Sequence, residues 1–161
     1  MSKVTVVCVS LAVCLCLARS TTSASPQSGE DALQPDSVWT GHTEGDARKP
    51  KQDRERGAVL RVTSREGQKF GAELLVQGRV AFALELDGRL NKKGQVQAKV
   101  TRIIRGTWPD GTADDVWTGT LSGEQLVLKH TGKQNLVHTV TLKLDPEATD
   151  RARRRRGQTD D

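Results

Sequence analysis

Apolar and polar residues alternate along most of the chain between residues 58 and 144, in short runs separated by glycine-containing turns. In the run 70–76, Phe70, Ala72, Leu74 and Val76 occupy every second position. Because successive side chains of a strand point to opposite faces, this period predicts a β-sheet with one apolar face. The inward-facing residues predicted in this way are Leu60, Val62, Phe70, Leu74, Val80, Phe82, Leu84, Leu86, Val100, Val140 and Leu142.

The spacing of these runs predicts about eight short strands over residues 37–145. No stretch has the periodicity of an amphipathic helix. Most connections are as short as hairpins, among them Gln77-Gly78 and residues 91–94. We therefore predict an all-β fold, a single antiparallel up-and-down barrel of about eight strands, because closure removes exposed sheet edges. A sandwich of the same strands is the alternative.

Two positions interrupt the alternation and leave the local structure open. Asp87-Gly88 is either a bulge or an early turn. The period of the strand that begins near Val96 would place Arg102 on the apolar face. Either Arg102 is buried with a partner, or a bulge shifts the register before it.

A six-residue phrase occurs twice, at residues 36–41 and 114–119, and each copy ends in Val-Trp-Thr-Gly. One interpretation is structural: Trp39 and Trp117 plug the ends of the barrel, and the glycine lets each strand bend. The other is functional: both tryptophans, together with Trp108, line a ligand-binding mouth. The repeat also suggests two related half-barrels.

The amino-terminal segment has the pattern of a secretory signal peptide over residues 1–24. Lys3 precedes an apolar run over residues 4–17, and small residues lead to Ala24. The run is shorter than the roughly 20 apolar residues that span a bilayer, although a retained membrane anchor is the alternative. We therefore predict a secreted or periplasmic protein. Residues 25–36 are polar and small, which predicts a flexible linker.

All three cysteines, Cys8, Cys14 and Cys16, lie within the predicted signal peptide. The mature protein would therefore have no disulfide and no thiolate for catalysis or metal binding. Loss of Lys3 and Arg19 with the peptide would lower the formal net charge from +5 to +3. The folded part is thus mixed in charge and only mildly basic.

The carboxyl-terminal segment 146–161 is rich in arginine and is predicted to be disordered. It is either a solubilising end, a site for a protease that cleaves at basic residues, or an electrostatic tether. A tether would bind anionic lipid head groups or surface polysaccharide, together with the basic loop around residues 48–56. The candidate polyanion contacts are Arg151, Arg153, Arg154, Arg155 and Arg156.

The usual arrangements of catalytic and metal-binding residues are not found in the sequence. His42, His130 and His138 lack the spacing of metal ligands, and Asp114-Asp115 would point to opposite faces of a strand. Neither a Gly-x-Ser-x-Gly elbow nor a phosphate loop occurs. With five aromatic residues and no tyrosine, the chain also lacks a stacking platform for nucleic acid. We expect a non-enzymatic protein without metal, cofactor or nucleic-acid partner.

The length of the chain, the tryptophan on its first strand and its meandering strands resemble the calycin barrels, the lipocalin and avidin type. The chain departs from the lipocalin pattern at Ser37, where a glycine is usual, and it lacks the Thr-Asp-x-x-Arg type of motif. The late strands carry Lys129 and Lys143 instead of an arginine, so Arg102 is the one candidate to stack on Trp39. The resemblance implies a cup-shaped barrel that holds a small apolar ligand.

Three functional hypotheses follow from these patterns. The first is a binding or structural module of the cell envelope, with a small apolar ligand at a mouth formed by Trp39, Trp117, Arg102 and Trp108. The second is a protein tethered to an anionic envelope surface through its basic loop and arginine tail. The third, a small hydrolase, has no supporting group of residues.

Overall fold

The structure is a computed structural model, and it describes most of the chain after residue 31. The described residues are 32–45, 51, 55–78, 81–106, 114–132, 135 and 137–158. The predicted signal peptide, Val80, Trp108 and most of the basic loop lie outside these residues.

Eight antiparallel strands form a closed barrel in which every strand pairs with its neighbours in sequence and the first strand pairs with the last. This confirms the all-β up-and-down barrel that the alternation predicts, and excludes the sandwich. One helix follows the last strand. The elements are β1 (Val38–Glu44), β2 (Arg56–Glu66), β3 (Lys69–Val76), β4 (Phe82–Leu90), β5 (Gln95–Arg105), β6 (Val116–Ser122), β7 (Gln125–Thr131), β8 (Val137–Leu144) and the helix α1 (Pro146–Gly157).

The barrel interior is filled by alternate residues of the strands. Every described member of the predicted inward set is at most 4% exposed, and all belong to one continuous apolar cluster. Burial of a side chain such as Leu74 or Phe82 stabilises the fold by about 1.5–3 kcal/mol. Since no cysteine occurs after Cys16, this core carries the stability without help from disulfides.

The two ends of the barrel differ in what lies beside them. At one end, here called the helix end, β1 begins and β8 leads into α1. At the opposite end, here called the histidine end, β6 begins close to the end of β7 and the start of β8, where His130 pairs with His138. Trp39 lies at the helix end and Trp117 at the histidine end, and each is at most 1% exposed.

The two copies of the tryptophan phrase adopt the same backbone arrangement at these opposite ends. In the first copy, the N–H of Asp36 donates to the carbonyl of Val62 at 2.8 Å, and the N–H of Val62 donates to the carbonyl of Ser37 at 3.0 Å. In the second copy, the N–H of Asp114 donates to the carbonyl of Val100 at 2.9 Å, and the N–H of Val100 donates to the carbonyl of Asp115 at 2.8 Å.

The first residue of each copy has a left-handed backbone, with φ of 65° at Asp36 and 98° at Asp114. Aspartate adopts this conformation more readily than most residues. Each aspartate therefore ends a turn, and the next residues enter a strand with the tryptophan directed into the barrel.

The glycine that closes each copy lies against the backbone of a neighbouring strand. A Cβ atom on Gly41 would collide with the carbonyl oxygen of Thr141 in β8, and one on Gly119 would collide with that of Val127 in β7. Both glycines thus allow a close strand approach that no other residue permits.

The repeat does not record two half-barrels. Duplication of a four-stranded half would relate β1 to β5, whereas the second copy begins β6, which runs opposite to β1. The hydrogen bonds relate β2 to β5 in the same reversed order. The two copies therefore form the same local structure, in which one tryptophan is buried at an end of the barrel.

The interruptions at Asp87-Gly88 and Arg102 have different explanations. Asp87-Gly88 is neither a bulge nor a turn, because β4 continues through both residues with regular pairing to β3. A glycine is needed at position 88 because the ring of Phe70 occupies the place of its Cβ atom. At Arg102 the bulge is confirmed: the register shifts between Glu85 and Leu86, and Arg102 is exposed.

The predicted flexible linker and disordered tail need correction. Residues 32–36 pack on the barrel, with Ala32 and Leu33 buried in the apolar cluster. The tail forms α1 over Pro146–Gly157. Polar contacts, and not an apolar stripe, fasten the helix to the barrel. The sequence therefore shows no helical pattern of apolar residues in this segment.

We expect Gly41→Ala and Gly119→Ala each to lower the free energy of unfolding by about 1–3 kcal/mol or more, because the added methyl group must displace strand backbone. Urea unfolding followed by tryptophan fluorescence measures this loss. Gly157→Ala is the matched control, since Gly157 has open space around its Cα atom. Equal unfolding midpoints for all three variants would contradict the close approach.

Candidate functional site

The residues at the two ends of the helix α1 stabilise it by capping its first turn and by carrying charges opposite to those of the helix dipole. Asp145 is the N-cap, and its Oδ1 accepts from the N–H of Ala148 at 2.9 Å. Pro146 and Glu147 occupy the first turn, and arginines occupy the last turn. Negative charge at the start and positive charge at the end both stabilise the helix dipole. The segment is thus helical for local reasons, despite its lack of an apolar face.

Thr149 holds the helix against the first strand. Its Oγ1 accepts from the N–H of Val38 at 2.9 Å and donates to the carbonyl of Asp145 at 2.8 Å. Thr149 is 6% exposed and lies on the barrel side of the helix. A buried N–H that has such a partner avoids a desolvation cost of about 1–3 kcal/mol. The anchor therefore fixes the start of the helix on the strand that carries Trp39.

The buried carboxylate of Asp36 fastens the other end of the helix. Its Oδ1 accepts from Nη2 of Arg61 at 2.9 Å, and its Oδ2 accepts from Nη1 of Arg156 at 3.0 Å. One carboxylate thus joins the segment before β1, the strand β2 and the last turn of α1. The hydrogen bond from Arg61 does most to lower the pKa of Asp36 below its ordinary 3.8, and Arg156 adds to this, while burial acts in the opposite direction.

The arginines of α1 divide into two groups. Arg151, Arg153 and Arg154, here called the outer arginines, are exposed. Arg151 lies 3.6 Å from Glu147, an exposed pair of small energetic value. The other two line a cleft of about 430 Å³ on the outside of the barrel, here called the Asp36 cleft. Its lining residues are Asp36, Arg61, Thr63, Glu73, Arg155 and Arg156.

A second polar cluster lies at the histidine end. The centroid of the His130 ring is 5.3 Å from the ring centroid of Trp117 and 6.4 Å from that of His138. Nε2 of His130 is 3.5 Å from Oδ2 of Asp115. His130 is 3% exposed and lies in the interior with Trp117, whereas His138 and Asp115 are half-buried.

The predicted ligand-binding residues do not meet at one mouth. Trp39 and Trp117 are buried at opposite ends of the barrel. Arg102 lies on the outer face, where its Nε donates to Oε2 of Glu85 at 2.8 Å, and it does not stack on Trp39. Trp108 lies outside the described residues. A ligand site made from these four residues stays a prediction without support from their placement.

The second hypothesis joins the basic loop around residues 48–56 to the arginine tail, and most of that loop lies outside the described residues. The described strand ends on either side of it, the end of β1 and the start of β2, are at the histidine end. The helix α1 begins at the helix end. Of the two, the helix is the one whose arginines are all described, and it is the candidate site.

Sequence reasoning missed the residues that make this site rigid. Asp36 and Arg61 are separated by 25 positions, and Asp36 and Arg156 by 120 positions. The one signal in the sequence was the place of Asp36 at the head of a repeated phrase. The signal for Thr149 was weaker, since a threonine in a polar segment is ordinary.

No family model matches the chain, and no curated protein is significantly similar to it in sequence. Among the described residues, no group of three His, Cys, Asp or Glu side chains is arranged to hold a metal ion. Within the same part of the chain, no helix combines the length and the apolar character that a membrane crossing requires. The closed barrel of eight strands supports the calycin resemblance at the level of architecture.

We expect Asp36→Asn to lower the free energy of unfolding by about 1–2 kcal/mol at neutral pH, because it removes the charge that two arginines share. Asparagine tolerates the left-handed backbone, so the substitution tests the charge. A carboxylate with a lowered pKa contributes stability above its unfolded pKa and loses that contribution as the pH falls through its folded pKa. The difference between wild type and variant should therefore shrink below about pH 4.

Urea unfolding at neutral pH and at about pH 3 measures this difference. Asp114→Asn is the matched control, because Asp114 holds the same place in the second phrase but its side chain is 79% exposed. Equal losses in the two variants, or a loss that does not depend on pH, would contradict a buried charge network at Asp36.

Proposed function

We propose that the protein is a non-enzymatic binding module that docks on membranes bearing anionic lipids through the outer arginines of α1. The observation that carries the proposal is a short arginine-rich helix fastened at both ends to a closed barrel, by Thr149 and by Asp36. The anchors use only Arg156 among its arginines, and the outer arginines remain exposed.

A rigid arrangement makes these charges more useful than a disordered tail would. Side chains on an ordered helix meet a charged surface together, so less conformational entropy is lost on binding. The charge of an arginine near an anionic membrane contributes about 1 kcal/mol. Three such residues together contribute about 3 kcal/mol, a weak and reversible attachment that falls further as salt is added.

The predicted signal peptide agrees with this proposal, because export would bring the barrel to the outer side of a membrane. We propose accordingly that the protein acts outside the cytoplasm, secreted or in the periplasm. The remaining alternative, a small apolar ligand, draws no support from the buried tryptophans at opposite barrel ends. Surface polysaccharide is a different anionic partner and is an outcome of the test below.

We expect Arg151→Gln, Arg153→Gln and Arg154→Gln, combined in one variant, to weaken binding to vesicles of phosphatidylcholine and phosphatidylglycerol on the order of a hundredfold. Vesicle sedimentation at low and physiological salt measures the partition coefficient. Binding by the wild type should fall steeply with salt, because exposed charges are screened.

The matched control carries Lys92→Gln, Lys93→Gln and Lys143→Gln, which remove the same charge from exposed barrel positions. Its binding should stay within about threefold of the wild type. Equal weakening of both variants would show that net charge alone is responsible. Failure of the wild type to bind vesicles, with binding to a sulfated polysaccharide instead, would refute the membrane partner.

A further inference from the structure

We propose that the Asp36 cleft is a binding site for a phosphate monoester group, a site that rests beside the proposed membrane-docking surface and gives it selectivity. Arg61 and Arg155 are the residues that would bind the phosphate oxygens. The cleft volume of about 430 Å³ lies within the usual range for small-ligand sites. It is large enough for the phosphate and part of the molecule that carries it.

The carboxylate of Asp36 prepares the cleft by holding its arginines in place. Each of its oxygens accepts one N–H from a different guanidinium, Arg61 on one side and Arg156 on the other. The contact with Asp36 uses Nη2 of Arg61. A guanidinium has five N–H donors in one plane, so Arg61 keeps further donors for a second anion. Asp36 is itself 6% exposed, so the carboxylate that both arginines share is fixed within the fold, while the arginine side chains reach the surface.

Arg155 is a second arginine on the same cleft. It belongs to the last turn of α1, next to Arg156, whose position the ion pair with Asp36 fixes. Arginine forks match the oxygens of phosphate in pairs, whereas lysine offers a point charge. Two forks on one cleft therefore favour a doubly charged tetrahedral oxyanion over a singly charged diester.

The acids on the cleft set its net charge. The lining residues include two acids, Asp36 and Glu73, and three arginines, which leaves the lining with one excess positive charge. Asp36 is already neutralised by its two partners. Glu73 is exposed and would repel a bound phosphate, so Glu73→Gln should strengthen binding severalfold.

A phosphate monoester has two sources that the cleft chemistry does not distinguish. One is a lipid head group, as in phosphatidic acid, which the outer arginines would bring close. The other is a soluble compound such as glycerol 3-phosphate. In the first case the inference deepens the proposed function, and in the second it stands apart from it.

The experiment compares vesicles of matched surface charge that contain either phosphatidic acid or phosphatidylglycerol, and titrates glycerol 3-phosphate by calorimetry. We expect at least tenfold tighter binding to the phosphatidic acid vesicles. The double variant Arg61→Lys and Arg155→Lys keeps the charge and should lose this preference, with phosphatidylglycerol binding unchanged. The triple variant Arg151→Lys, Arg153→Lys and Arg154→Lys is the matched control and should keep the preference.

The outcomes separate the two proposals. Equal binding to both vesicles would overturn the cleft and leave the membrane-docking function standing. Binding of glycerol 3-phosphate without vesicle binding, lost in the double lysine variant, would support the cleft and overturn the membrane function. A preference for phosphatidic acid that survives in the double lysine variant would overturn the cleft. The single variant Arg155→Lys leaves the ion pairs of Asp36 in place, so a loss of preference in this variant is not due to misfolding.

Discussion

The hydrogen-bonded seam between β1 and β8 is the constraint on which the rest of the structure depends. It joins the first strand to the last, from Trp39 opposite Leu144 to Glu44 opposite Thr139. Closure removes both sheet edges and encloses the apolar cluster, the main source of stability in a barrel without disulfides. The seam needs a glycine at position 41, because the backbone of β8 lies where a side chain would begin. The same seam sets the start of α1 beside the start of β1.

Polar contacts extend the barrel beyond its strands. The buried N–H of Val38 needs an acceptor, and Thr149 supplies it. The charge of Asp36 needs partners, and Arg61 and Arg156 supply them. A segment with almost no apolar surface thereby becomes a fixed part of the fold. The requirement to satisfy buried polar groups, and not the hydrophobic effect, places the arginine helix.

This arrangement links the fold to the function that we propose. The described inward-facing residues fill the barrel, and the function that we propose lies on its outer surface. There the fixed helix presents arginines side by side, some outward and some along the Asp36 cleft. General attraction to anionic surfaces and selective binding of one anionic group can thus reside on neighbouring residues. The two properties remain separable, since charge governs the first and the planar fork of arginine governs the second.

The sequence by itself determined the strand periodicity, the inward-facing residues and the up-and-down order of the barrel. These follow from local alternation and short turns, which any antiparallel sheet must obey. It also marked the tryptophan phrases and the arginines, but not where they would meet. Only the tertiary structure decided that Trp39 and Trp117 close opposite ends, that Arg102 follows a bulge, and that Asp36 binds arginines from β2 and α1. Asp36 and Arg156 are 120 positions apart, and no local pattern records which distant side chains the closed sheet brings together.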